Sequence, residues 1–371
     1  MRSAWAKTLL LQCAALASVG ASAADEDWYY QTYVDAGYAA SNREPSNNVW
    51  RSKGTTNILN KPTLFLAMAE VRKVATTNSR WGLNFGLQFG QDADNQVPGP
   101  VKEPPSNADN WQHLYRGNVS YLAGNEGELT ITAGVFDSPI GYESYLAIEN
   151  PNYTRAYMLD YVPYFMKGVE VLWEASETTE LTFYLISGYD YLAEINDIPS
   201  LGFRGDWQFT PELTFSQNFY YGADQKNTDQ EFWRFFTDSI VEWKNDRWLI
   251  AASFDYGTEK QADVIGQPRY TWTAGAAWLR YAINDKASLS LRPEFYRDPD
   301  GLQTTARQTI KAIAGTFKHE IPLRNARLIG TIELRYDKST GADGGFFDEP
   351  NDRLVPTQTT LLFGLLWAFD G

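Results

Sequence analysis

Four pairs of oppositely charged side chains stand two residues apart in the chain: Glu70 with Arg72, Arg204 with Asp206, Arg292 with Glu294, and Glu333 with Arg335. Residues at that spacing share one face of an extended strand, so each pair can be neutralised within the strand or by a neighbouring strand. Further charged residues at such positions are Arg116, Glu170, Arg234, Asp238, Glu242 and Asp255. These side chains either solvate a polar interior or create a transverse field that orders water and sorts ions. Both interpretations require a wet interior.

A long segment rich in tyrosine, residues 136–168, is the second candidate. Its aromatic residues and prolines indicate packing rather than disorder, and a long structured loop is usually functional. Folding inward would make it a constriction of the interior, whereas an outward cap packed on neighbouring loops is the alternative. The candidate constriction residues are Asp137, Tyr142, Glu143, Glu149, Asn150, Tyr153, Arg155 and Asp160.

Residues suited to catalysis are scarce. The chain has two histidines, His113 and His319, which we expect at opposite rims of the fold, and neither has an evident serine partner. We therefore expect no enzyme, no catalytic residue and no cofactor. The last long loop holds an acidic cluster without the spacing of a dedicated calcium loop, so we expect a solvated loop and no metal site: Asp343, Asp348, Glu349 and Asp352.

The N-terminus has the pattern of a secretory signal peptide. Arg2 and Lys7 precede an apolar stretch and Ala21-Ser22-Ala23-Ala24, and acidic residues follow at once. We predict a cleaved signal peptide over residues 1–24 and a mature chain over 25–371. Cys13, the one cysteine, would be removed, which excludes disulfides and thiolate chemistry. The net charge of −14 argues against nucleic-acid binding.

The elements that must position these residues are strands. In the segment WGLNFGLQFGQ, large apolar residues alternate strictly with small or polar ones, which is the period of a strand with one apolar and one polar face. We predict strands at 28–40, 62–75, 80–91, 110–123, 128–136, 168–175, 180–188, 201–209, 212–222, 231–244, 247–257, 270–283, 287–297, 307–320, 326–337 and 358–369.

The connections between these strands alternate in length. Short turns with Asn, Asp, Pro and Gly follow the even-numbered strands, and long loops follow the odd-numbered ones. That alternation is typical of an all-β, transmembrane, antiparallel up-and-down β-barrel of about sixteen strands, with short periplasmic turns and long extracellular loops. An even strand count then places both termini in the periplasm.

Large apolar residues on the other face of the predicted strands are expected to face lipid. Many are aromatic and stand near strand ends, as in the aromatic girdles of membrane barrels. A sugar-binding aromatic track is the alternative. The residues assigned to this face are Phe65, Val71, Trp173, Phe215, Trp233, Trp243, Trp248, Trp272, Trp278, Phe295, Tyr336, Phe363, Trp367 and Phe369.

The run GVFDSPIGYESYLAIENPNYTRAY, followed by PYFMKGV, resembles the OmpL-like β-barrel porin-2 family. The resemblance covers the mature chain and implies a general porin of the outer membrane with no catalytic centre. The C-terminus departs from the common pattern, because Phe369 is followed by Asp370 and Gly371, so the assembly signal is expected slightly inside the chain. The matching positions are Phe136, Ser138, Pro139, Gly141, Tyr142, Glu143, Asn150, Tyr153 and Arg155.

Together these features predict passive diffusion of small hydrophilic solutes or ions through a water-filled barrel in the outer membrane of a Gram-negative bacterium. A substrate-selective channel for sugars or cations, or a surface receptor, is the alternative. The expected partners are outer-membrane lipid, lipopolysaccharide, the barrel-assembly machinery and small solutes. The sequence does not distinguish a monomer from a homotrimer, because a subunit interface would be another apolar outer face.

Overall fold

The computed structural model describes residues 28–96, 112–189, 192, 196–349 and 351–370, so the predicted signal peptide lies outside the described residues. No helix among the described residues is long and apolar enough to span a membrane. The short helices are α1 (Gln91–Gln96), α2 (Tyr157–Asp160) and a 3-10 turn (Gln230–Phe232). The strands are β1 (Trp28–Ser41), β2 (Pro62–Lys73), β3 (Trp81–Phe89), β4 (Leu114–Ala123), β5 (Leu129–Asp137), β6 (Phe165–Ser176), β7 (Thr179–Ile186), β8 (Ser200–Gln208), β9 (Leu213–Ala223), β10 (Trp233–Lys244), β11 (Trp248–Lys260), β12 (Arg269–Asn284), β13 (Ala287–Asp298), β14 (Gln308–Pro322), β15 (Arg327–Thr340), β16 (Phe346–Asp348), β17 (Arg353–Val355) and β18 (Thr357–Asp370).

Sixteen of these strands close into one antiparallel barrel in which strands adjacent in sequence are also adjacent in space. The remaining two, β16 and β17, form a small hairpin within the last long loop. The barrel is closed by the pairing of β1 with β18, in a register that places Gly37 opposite Gly364. The predicted all-β barrel of about sixteen strands is confirmed. A barrel of this size leaves a wide interior.

Strand β3 shows how the sequence forms the wall. Trp81, Phe85 and Phe89 point outward, and 63%, 46% and 50% of their surfaces are exposed. The even-numbered residues Gly82, Asn84, Gly86 and Gln88 face the interior, and Gln88 is fully buried. Strict alternation therefore gives an apolar outer surface suited to lipid and a polar inner surface, as predicted for this segment.

Connection lengths alternate as predicted. The short connections are residues 74–80, 124–128, 177–178, 209–212, 245–247, 285–286 and 323–326, and they define the short-turn end of the barrel. The long connections, at the long-loop end, are residues 42–61, 90–113, 138–164, 187–199, 224–232, 261–268, 299–307 and 341–356. The first residue of β1 pairs with the last residue of β2 and the last residue of β18 pairs with Gln31, so both ends of the described barrel lie at the short-turn end.

Three aromatic residues predicted to face lipid point inward instead. Trp272 and Trp278 of β12 are 1% and 0% exposed, and Phe65 is fully buried where the register between β1 and β2 shifts. The cause for the two tryptophans is packing inside the barrel, because Trp278 contacts Tyr142 of the loop that follows β5 and Trp272 contacts Arg234 of the wall. The loop itself, which we name the central loop, spans residues 138–164 rather than 136–168, because Asp137 ends β5 and Phe165 begins β6.

Candidate functional site

The first part of the central loop is bound to strands β8, β9 and β10. The carbonyl oxygen of Pro139 accepts hydrogen bonds from Arg204 at 2.5 Å and from Asn218 at 3.1 Å. The Gly141 N–H donates to Asp238 Oδ2 at 2.9 Å, and the Tyr142 hydroxyl donates to Glu242 Oε2 at 2.7 Å. Two of these partners are carboxylates that accept from the loop, and charge-assisted hydrogen bonds of this kind are the stronger ones.

The second part of the central loop is bound to strands β13, β14 and β15. Asn152 Nδ2 donates to Thr316 Oγ1 at 2.7 Å, and the Tyr153 N–H donates to Glu333 Oε2 at 2.8 Å. The Tyr157 N–H, at the start of α2, donates to Glu294 Oε2 at 2.6 Å. The loop therefore reaches inward-facing side chains on two separate arcs of the wall.

Tyr153 fits a slot between the first and last strands. Its hydroxyl donates to Asp35 Oδ1 at 2.9 Å. A Cβ atom on Gly37 would lie 2.5 Å from this hydroxyl oxygen, and one on Gly364 would lie 2.5 Å from the ring carbon that bears it. Gly37 and Gly364 are cross-strand partners, so the slot exists because both lack side chains.

Glu143 joins the two parts of the loop to the wall. Its Oε1 accepts from Arg292 and from the Trp278 indole N–H, both at 2.8 Å, and its Oε2 accepts from the Ala156 N–H at 2.6 Å. Tyr142 packs against Trp278 with ring centroids 4.5 Å apart. The Glu143 and Arg292 side chains are both 0% exposed, so this is a buried ion pair whose carboxylate is fully hydrogen-bonded.

The ion pairs of the wall only partly follow the predicted two-residue spacing. Arg204 pairs with Asp206 at 2.8 Å and Arg292 with Glu294 at 3.2 Å, as expected. Arg335 instead pairs with Glu294 at 2.9 Å and with Asp337 at 2.9 Å, while Glu333 accepts from the central loop.

In the remaining predicted pair, Glu70 binds Arg116 at 3.0 Å, and Arg72 lies over the ring of Tyr29 at 5.4 Å. Arg116 is also paired with Asp137. For Glu70 of β2 the counter-charge therefore comes from β4, the next strand but one, as it does for Arg335 of β15 and Glu294 of β13.

The first long loop, residues 42–61, covers the central loop from the long-loop end. Lys53 pairs with Asp160, whose Oδ1 also accepts from the Thr55 N–H at 3.0 Å and from the Thr55 hydroxyl at 2.7 Å. Arg155 lies 3.5 Å from Asp92 of α1. Burial raises the pKa of Asp92 to about 7, although Arg155 acts in the opposite direction.

A cavity of about 940 Å³ opens on the other side of the central loop, toward the short-turn end. It is lined by loop residues and by charged side chains of the surrounding strands and turns. Nine of the predicted residues line it: Asp137, Tyr142, Glu143, Glu149, Asn150, Arg116, Arg204, Asp206 and Glu242.

The other predicted site residues face the interior away from this cavity, and most are buried between the loops and the wall. Arg234, for example, pairs with Asp224 at 3.3 Å and Glu259 at 2.9 Å, and Asp238 lies directly opposite Asp255 on the next strand. These residues are Tyr153, Arg155, Asp160, Glu70, Arg72, Glu170, Arg234, Asp238, Asp255, Arg292, Glu294, Glu333 and Arg335.

Several residues that shape the site were not among those predicted. Asp35, Gly37 and Gly364 were missed, although a glycine within an alternating strand signals a close approach of another group. Lys318, which donates to the Ala147 carbonyl oxygen at 2.8 Å, was also missed, although Glu320 stands two residues further along β14. Lys53 lies in a loop whose path the strand pattern does not define.

The histidines and the acidic loop show no catalytic arrangement among the described residues. His113 Nδ1 lies 3.2 Å from the Gln88 carbonyl oxygen, and its ring stacks on Phe89 at 4.9 Å. Within the described part of the chain, no group of three or more His, Cys, Asp or Glu side chains could hold a metal ion. The acidic loop is tied to other loops, with Asp348 3.0 Å from Arg43.

The fold is similar to those of solved porins. OmpT of Vibrio cholerae, in its outer-membrane expressed form, matches with a TM-score of 0.57 and 11% identity over 95% of this chain and 99% of that one. An anion-selective porin from Comamonas acidovorans matches with a TM-score of 0.55 and 11% identity over 92% and 99% of the two chains. A trimer form of OmpT gives a TM-score of 0.52 and 12% identity over 93% and 98%. At sequence identities this low, the similarity to these porins is a similarity of fold.

No curated protein sequence gives a significant match to this chain. The model of the family described as "Putative beta-barrel porin-2, OmpL-like" matches residues 29–369, which is nearly the whole chain. Family and barrel together place the protein in the outer membrane and indicate a channel rather than an enzyme. The chain therefore belongs to the OmpL-like β-barrel porin-2 family and is an outer-membrane porin.

Proposed function

We propose that this porin allows passive diffusion of small hydrophilic solutes and ions, and that the central loop limits their size. The observation that carries this proposal is the span of the loop. Residues 139–142 are bound to β8–β10, and residues 152–157 are bound to β13–β15. A loop that is bound at both places narrows the interior and stays in position, whereas a loop bound at one place only would move.

The cavity at the short-turn end supports the same proposal. Its wall carries carboxylates, guanidinium groups, amides and hydroxyls, which suits water and hydrated solutes. On the other side of the loop, Arg155 and Asp160 of the central loop are buried against residues 42–61, and Arg335 of the wall is buried against the central loop. The narrowest part of the route accordingly lies within the central loop and its wall partners, and the predicted constriction residues Tyr142, Glu143 and Tyr153 belong to it.

The orientation and the partners of the barrel are part of this proposal. Both ends of the described barrel lie at the short-turn end, which we place in the periplasm, with the long loops outside the cell. The apolar outer wall would contact outer-membrane lipid and lipopolysaccharide after insertion by the barrel-assembly machinery. A homotrimer would use the same outer wall.

Single-channel recording in planar bilayers tests the proposal. The purified wild type should give stable conductance steps, and deletion of residues 142–160 should enlarge them. Deletion of residues 263–266 is the matched control: this stretch belongs to another long loop, and its Ile265 is fully exposed, so the steps should stay unchanged. A barrel that is folded, as judged by heat-modifiable electrophoretic mobility, yet silent at all salts and voltages would contradict the pore.

A further inference from the structure

A row of carboxylates crosses three adjacent strands near the short-turn end. Glu174 of β6 is the register partner of Glu180 of β7, which is the register partner of Asp206 of β8. All three line the cavity. Like charges directly opposite each other on neighbouring strands destabilise a sheet, so this arrangement costs folding free energy.

Within the part of the chain that the structure describes, one member of the row is neutralised by an ion pair. Asp206 pairs with Arg204 at 2.8 Å and accepts from the Ser216 hydroxyl at 2.5 Å. Arg204 is fully engaged there, because it also donates to the Pro139 carbonyl oxygen. Among the described residues, Glu174 and Glu180 form no ion pair, so their negative charge faces the water of the cavity.

Cationic side chains face the same cavity from another part of the wall: Arg280, Lys286 of the turn 285–286, and Arg327 of β15, which pairs with Glu320 at 3.3 Å. Arg280 of β12 lines the cavity, five strands from β7 and six from β6 in the closed sixteen-strand order. It forms no ion pair within the described part of the chain. The neighbouring cation Lys318 is occupied by the Ala147 carbonyl oxygen. Glu174, Glu180 and Arg280 all lie near the short-turn ends of their strands, so the two charge signs lie at similar depth.

We propose that this cavity selects dipolar solutes, meaning small molecules that carry both an ammonium group and a carboxylate, as amino acids do. Glu174 and Glu180 would face the ammonium end, and Arg280 would face the carboxylate end. This inference rests on the proposed pore function and names the solute class for it. A volume of about 940 Å³ accommodates one such solute with some of its water.

The charges of the wall favour a dipolar solute over a simple ion. Clefts with charged walls of low dielectric constant focus the field and raise the local concentration of complementary solutes. A cation is attracted by Glu174 and Glu180 but repelled by Arg280. An anion is attracted by Arg280 but repelled by the two carboxylates. A solute with both charges is attracted by both walls, and the electric field orients it before it reaches the central loop.

Efflux from proteoliposomes tests the proposal with four labelled solutes of similar size: 4-aminobutyrate, 4-amino-1-butanol, 4-hydroxybutyrate and the neutral erythritol. The wild type should release 4-aminobutyrate about fivefold faster than erythritol, the effect expected for one exposed charge contact. In the variant Glu174→Gln with Glu180→Gln, 4-hydroxybutyrate should leave faster than 4-amino-1-butanol. Arg280→Gln should give the opposite order, and both variants should lose most of the preference for 4-aminobutyrate.

Asp246→Asn is the matched control, since it removes a carboxylate from an exposed turn at the same end that does not line the cavity. It should leave all four rates unchanged. The inference about dipolar solutes is overturned if the wild type releases 4-aminobutyrate no faster than erythritol. It is also overturned if neither variant changes the relative rates of 4-amino-1-butanol and 4-hydroxybutyrate. In both cases the proposed pore function is unaffected. If no solute leaves and no current flows, the pore function itself fails.

Discussion

The hydroxyl of Tyr153 lies 2.9 Å from Asp35 Oδ1, across a slot that two facing glycines leave open in the barrel wall. This contact joins the middle of the central loop to the first strand, 118 residues earlier in the chain. The geometry of this contact depends on the absence of two Cβ atoms.

Filling the slot should displace the loop. Gly364→Ala places a methyl group within 2.5 Å of the Tyr153 ring, so we expect a larger single-channel conductance and a loss of about 1–3 kcal/mol in the free energy of unfolding. Gly330→Ala in the neighbouring strand β15 is the control, because its Cβ would meet no atom within 4 Å. Equal conductance for both variants would show that Tyr153 does not hold the loop.

The Glu143–Arg292 pair should be a main contributor to the stability of the loop. Glu143→Ala leaves Arg292 and the Trp278 N–H without this acceptor in a buried place, and the loss of one partner in a buried pair costs about 3–5 kcal/mol. Urea unfolding in detergent measures this. In a double-mutant cycle with Glu143→Gln and Arg292→Gln, additive effects would argue against the pair, whereas we expect a coupling of about 1–3 kcal/mol.

The outer wall predicts a difference between neighbouring residues of β3. Phe85 is 46% exposed on the apolar outer surface, whereas Asn84 faces the interior. Phe85→Arg should lower the free energy of unfolding in lipid bilayers by about 2–4 kcal/mol, the cost of a cation near the bilayer midplane. Asn84→Arg, with its charge inside the barrel, should cost clearly less. Equal costs would contradict the assignment of the two faces.

The raised pKa of Asp92 predicts a pH effect on stability. Because burial raises this pKa from its ordinary value of 3.8 to about 7, the folded protein holds the proton more tightly than the unfolded chain. Its contribution to stability is therefore complete below pH 3.8 and falls as the pH rises toward 7. As the pH is raised through this window, the melting temperature of the wild type should fall relative to that of Asp92→Asn. A constant difference from pH 4 to 7 would refute this role.

The alternation of apolar and polar residues in the sequence predicted the barrel but not the contents of its interior. In β3, one face is apolar and the other polar, so period two was sufficient to assign both faces. In β12, Trp272 and Trp278 point inward because they pack on Arg234 and Tyr142, at 5.5 Å and 4.5 Å. The prediction assumed that the interior holds water at every level, and that assumption fails where the central loop fills it.

The contacts of the central loop could be predicted only as a set of candidates. The sequence showed that residues such as Tyr142, Glu143 and Tyr153 stand in an unusual segment, but not which wall residues they meet. Those partners, among them Asp35 and Glu333, are more than a hundred residues away, and their positions depend on the stagger of sixteen strands.

The position of the slot also orders the assembly of the protein. Gly37 belongs to the first barrel strand and Gly364 to the last, so the surface that receives Tyr153 is absent until the two ends of the chain have met. A nascent barrel with an open seam has no place for this side chain. The contact of Tyr153 with the wall can therefore form only after the first and last strands have paired, later than the contacts of the loop with β8–β10.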